Sequence, residues 1–160
     1  DKYSQLQQTM YEYLEEKSKI GKIYEAIVPA RELVDHLLPD PRYFVGLLTG
    51  NVTSVGRWKL HDAGYPDIPF GIFGEEADDR IELAKLVFEK AKSYFHKSIA
   101  PQEIIVIGDT ILDVQCGKAI GAQTIAVMTG KHHTRGMLAL ERPDLLVDSL
   151  MDPAVLSFLN

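Results

Sequence analysis

The chain has 160 residues, of which 46% are hydrophobic and 25% charged, with a formal net charge of −6 and a single cysteine. That composition supports a folded domain with a packed core and excludes wholesale disorder. The acidic balance disfavours a nucleic-acid partner, and no apolar run approaches the ~20 residues of a membrane helix. It leaves room for a small phosphorylated substrate, because a metal ion or a Lys/Arg cluster reverses the field locally.

The opening DKYSQLQQ lacks the basic and apolar regions of a signal peptide, and Cys116 alone provides no internal disulfide framework, so a reducing, cytoplasmic setting is expected. Residues 2–16 place Tyr3, Leu6, Met10, Tyr13 and Leu14 at helical spacing. A connection with Gly21 and Pro29 follows, then a short helix over 30–38 that Pro39 and Pro41 stop. YFVGLLT, 43–49, is an apolar run of strand length closed by Gly50 and Asn51. The next helix covers 54–64 with Gly64 as its C-cap, and FGIF, 70–73, is a short strand. The longest helix is expected over 77–95.

EIIVIGD (103–109), QTIAVMTG (123–130) and DLLV (144–147) read as strands, with a helix over 111–122 between the first two and a His- and Gly-rich loop before the last. Strands and helices alternate, and the strands are unbroken apolar runs. Both features imply an α/β fold, a three-layer Rossmann-like parallel sheet with helices on both faces. Ligands bind such sheets outside the carboxyl ends of the strands. Thr49–Gly50–Asn51, Asp109–Thr110 and Thr129–Gly130 are therefore expected on one edge, offering hydroxyls, backbone amides and a carboxylate. Those groups suit phosphate oxygens and Mg²⁺. Asp113, in the first turn of the following helix, could face the same crevice or simply complement the helix dipole.

LLTGN (47–51), FGEEADDRIELAKLVFEKA (73–91) and IVIGDTILDVQCGKAIGAQTIAVMTG (105–130), in that order, resemble the haloacid dehalogenase-like (HAD) superfamily, and within it the phosphoglycolate-phosphatase type. The resemblance implies an Mg²⁺-dependent phosphomonoester hydrolase. Thr49, with the Gly50 and Asn51 amides, would bind the phosphoryl group. Arg80, or Lys59 as its rival, would neutralise the phosphoryl charge. Asp109 would ligate Mg²⁺ with Asp113 as its partner. Residues 1–25 resemble the end of a helical cap, and 26–160 the core.

One departure is serious. The family's first motif, a strand ending in Asp-x-Asp-x-Thr whose first Asp attacks phosphorus, does not occur. Asp35 and the Asp78–Asp79 pair have the wrong spacing, and Asp144 opens a strand. The expectation is that this motif and the early cap precede residue 1, that the sheet lacks its middle strand, and that this chain alone is inactive. Two alternatives remain. One is a metal-independent 2-haloacid dehalogenase on the same scaffold. The other is a non-catalytic module that binds phosphate or a partner. Among other residues, His132–His133 read as loop structure with Thr134 as a helix cap, and Cys116 as a small core residue. Trp58, Tyr65 and Phe70 read as packing around a turn. Tyr11, Tyr13 and Tyr24 are expected to pack within the cap.

Overall fold

The computed structural model describes residues 2–160, the side chains of Lys2, Tyr3, Ser4 and Leu6 excepted, so the expected apolar roles of Tyr3 and Leu6 lie outside the described residues. The chain divides into two compact units, Asp1–Asp78 and Asp79–Asn160.

The first unit opens with helix α1 (Lys2–Ser18), which packs on α3 (Thr53–Ala63). The expected cap boundary near residue 25 falls inside this unit. Helix α2 (Val28–Leu37) starts with a proline in its first turn, where a missing N–H costs nothing, and ends before Pro39. Strands β1 (Leu47–Leu48) and β2 (Gly71–Ile72) pair in parallel, Leu47 opposite Gly71 and Leu48 opposite Ile72. The apolar run 43–49 thus contributes far fewer strand residues than its length suggests. The ladder begins where Leu47 N–H donates to Phe70 C=O. Phe44 instead stacks edge-on against Phe70, with ring centroids 5.5 Å apart. Leu33, Leu37, Val55, Ile68, Ile72 and Phe73 are buried.

The second unit opens with α4 (Arg80–Phe95). This helix starts three residues later than its apolar pattern suggests, because Asp79 caps it, accepting from the Ile81 and Glu82 amides. Then come β3 (Ile105–Gly108), α5 (Ile111–Ala119), β4 (Gln123–Val127), α6 (Arg135–Leu140), β5 (Leu145–Val147) and α7 (Pro153–Leu159). The three strands form a parallel sheet in the order β3-β4-β5, with Ile107 opposite Ile125 and Ala126 opposite Leu146. Helix α5 packs on α4, β3 and β4, and Val114, Ala126 and Leu138 form a buried cluster. Thr124 is fully buried, and its amide and hydroxyl both reach the Asp144 carboxylate, tying the start of β4 to the start of β5.

The α/β class and the parallel pairing agree with the sequence pattern. The strands form two hydrogen-bonded sheets rather than one, with β3 at the edge of its sheet and β1 paired on one side only among the described residues. Helices α6 and α7 lie where the sequence suggested loop and tail. Each is short and begins at a side-chain cap, Thr134 accepting from the Met137 amide and Asp152 from the Ala154 amide. No helix among the described residues is long and apolar enough to cross a membrane.

Gly117 shows how tightly α5 sits on its sheet. A Cβ there would overlap Thr124 Cγ2 and lie 3.1 Å from Val106 Cβ. Alanine gains up to ~1 kcal/mol of helix propensity over glycine, but overpacking against a stiff β-branched stem costs about 1–3 kcal/mol. Gly117→Ala should therefore lower stability by about 2 kcal/mol at most, read as a reduced urea midpoint at unchanged slope. An unchanged midpoint would show that the helix moves away freely.

Candidate active site

The residues singled out in the sequence fall into two groups, one on each unit.

On the first unit, Thr49 ends β1, and the chain turns through Gly50 and Asn51 into α3. The turn is braced from beyond β2: Gly74 N–H donates to the Asn51 carbonyl at 2.9 Å. The N-cap of α3, Val52, has no side-chain acceptor, and the Glu75 carboxylate takes that place, accepting from Thr53 N–H at 2.9 Å and from the Thr53 hydroxyl. The Thr49 hydroxyl oxygen accepts twice from Asn51, from its amide N–H at 3.1 Å and from side-chain Nδ2 at 2.8 Å. Lys59 Nζ, one side chain along α3, donates to Asn51 Oδ1 at 2.9 Å. Thr49, Asn51 and Lys59 are thus one hydrogen-bonded chain. The sequence pointed to the three residues. It gave no signal that the Asn51 side chain links the other two. Tyr24 packs edge-on to Trp58 of α3 at 6.1 Å, not within residues 1–25 as expected, and Tyr13 is exposed; Asp62 holds the connection by accepting from the Ile23 and Tyr24 amides.

On the second unit, Asp109 follows the last residue of β3, and Thr110 is the N-cap of α5. The Thr129 hydroxyl, at the end of β4, donates to Asp109 Oδ2 at 3.2 Å, and the other carboxylate oxygen has no partner among the described residues. Asp113 is differently placed. Its Oδ2 accepts from the Thr110 amide at 3.1 Å and the Thr110 hydroxyl at 2.7 Å, closing a capping box. Its Oδ1 accepts from Arg80 Nη2 at 2.6 Å. One oxygen thus serves the cap of α5 and the other the Arg80 guanidinium, whereas one oxygen of Asp109 has no partner among the described residues. Gly108 makes room for this, since a Cβ at that position would overlap the Asp113 side chain. An Mg²⁺ ion needs only one or two protein carboxylates, the rest being water and phosphate oxygens, and the open oxygen of Asp109 is of the kind that fits such a demand. No group of three or more His, Cys, Asp or Glu side chains suited to a metal occurs among the described residues.

Cys116 is fully buried, donates to the Arg80 carbonyl at 3.2 Å, and has its pKa raised by burial. It is a core residue, as its place on an apolar helix suggested.

Residues 82–153 match the family described as HAD-hydrolase-like. The whole chain is similar in fold to a crystal structure of an L-2-haloacid dehalogenase, with 15% identity, a TM-score of 0.57, and coverage of 97% of this chain and 72% of that one. That likeness establishes the fold as the HAD-type α/β architecture. No curated protein sequence matches the chain.

Proposed function

We propose that these residues carry the phosphoryl- and metal-binding groups of an Mg²⁺-dependent HAD-type hydrolase acting on a small phosphorylated metabolite. The observation that carries this reading is the Asp109 carboxylate, standing at the end of β3 with one oxygen open and the other steadied by Thr129. Mg²⁺ bound there would polarise a phosphoryl oxygen. On the first unit Thr49 and the Gly50 and Asn51 amides are of the kind that bind phosphoryl oxygens, and on the second Arg80, held by Asp113, is of the kind that neutralises phosphoryl charge.

Covalent transfer needs an attacking carboxylate, and no Asp-x-Asp-x-Thr occurs in the sequence. Thr49 does not replace it: its oxygen accepts from Asn51, and no base among the described residues takes its proton. The nucleophile on this reading lies outside these residues, and the chain alone turns nothing over.

A second reading, hydrolysis of a 2-haloacid, is favoured by one observation. The Arg80–Asp113 pair engages the second carboxylate with a guanidinium, which competes with a metal for it. Metal dependence separates the two. The natural gene product should hydrolyse p-nitrophenyl phosphate with Mg²⁺ and lose that activity in EDTA. Halide release from 2-chloropropionate that ignores EDTA would overturn the phosphatase reading in favour of the dehalogenase. Turnover of neither substrate would leave a binding module.

A further inference from the structure

The Lys59–Asn51–Thr49 chain does more than hold a turn together. An ammonium group only donates, so Lys59 can face only the Oδ1 end of the Asn51 amide. That turns Nδ2 toward Thr49 at 2.8 Å. With Nδ2 and the Asn51 amide N–H both directed at it, the Thr49 oxygen is filled as an acceptor. Its own proton has no acceptor among the described residues and is left to donate outward. With the Asn51 amide reversed, Oδ1 would take that proton instead, and the hydroxyl would be consumed internally. Lys59 is itself steadied: its Nζ lies over the Tyr24 ring, 5.4 Å from the centroid, and Tyr24 is anchored by Asp62 and Trp58.

The geometry points to Lys59 as a positioning residue that acts through Asn51 to keep the Thr49 hydroxyl a donor toward a substrate oxyanion. Lys59 is then not itself the cation that meets the phosphoryl group. The inference rests on Thr49 binding an oxyanion, as proposed above.

The test uses the 160-residue chain and inorganic phosphate as probe, with NMR as the readout. Lys59→Met should shift the Asn51 side-chain amide signals and weaken phosphate binding roughly tenfold, the loss of one charge-assisted hydrogen bond. Lys59→Arg, which also only donates, should restore most of both. Asn51→Ala should weaken binding to a similar degree, and adding Lys59→Met to it should change nothing more. A Lys59→Met effect that persists in the Asn51→Ala background would mean Lys59 touches the phosphate directly, and would overturn the inference. Failure of the unmutated chain to bind phosphate would overturn the Thr49 role instead. In that case unmoved Asn51 amide signals in Lys59→Met would separately overturn the relay, and shifted ones would support it.

Discussion

Asp109→Asn in the natural gene product should reduce Mg²⁺-dependent hydrolysis of p-nitrophenyl phosphate on the order of 10²-fold or more, as loss of one preorganised electrostatic group does. Asparagine keeps the shape of the side chain and an oxygen for the Thr129 hydroxyl, which donates to Asp109 Oδ2 at 3.2 Å. What it removes is the charge, so thermal stability should change little while the Mg²⁺ concentration needed for half-maximal rate rises steeply. Wild-type turnover in the variant would sink the metal-ligand role. A loss of activity that excess Mg²⁺ does not touch would mean that the carboxylate serves the reaction otherwise than by recruiting the metal.

How much of this was legible in the sequence depends on the range of the interaction concerned. Asp109 was legible because a buried parallel strand announces itself as an unbroken apolar run, and an acid at its end stands out. Gly64 was legible as a C-cap, and it adopts the left-handed conformation with φ of 82°. The start of α4 lies three residues beyond the expected 77 because the expectation follows the helical pattern, and the cap at Asp79 shows only in its hydrogen bonds to Ile81 and Glu82. Helices α6 and α7, of 6 and 7 residues, are too short to show a periodic apolar face. β1 is shorter than its apolar run because strand length is set by the partner, and β2 pairs with it only at Gly71 and Ile72. The roles of Asp113 and Asn51 lay beyond sequence reading altogether. Both are decided by which long side chain, Arg80 or Lys59, reaches them from a separate helix.

The Arg80–Asp113 pair carries the second large expectation. Arg80 is 28% and Asp113 16% exposed in the side chain, so the charges are well withdrawn from water. Arg80 Nε is buried without a partner, and the 2.6 Å bond to Asp113 offsets that cost. Breaking such a pair from one side strands the other charge, at a cost of about 1–3 kcal/mol for a partly buried group. Arg80→Met should therefore lose both stability and, on the order of 10²-fold, turnover. Asp113→Asn should lose turnover as well, because a guanidinium without its carboxylate is free to swing from its place. The two effects on turnover should not add: in the Arg80→Met background, Asp113→Asn has no cation left to misplace. Stability should behave otherwise, since Asp113 also accepts from the Thr110 amide and hydroxyl at the start of α5, and that contribution survives the loss of Arg80. A double-mutant cycle read both as kcat/KM and as unfolding free energy separates these outcomes. Fully additive losses in kcat/KM would mean that Asp113 acts on the reaction independently of Arg80, as a metal ligand would, and would return the second carboxylate to the metal.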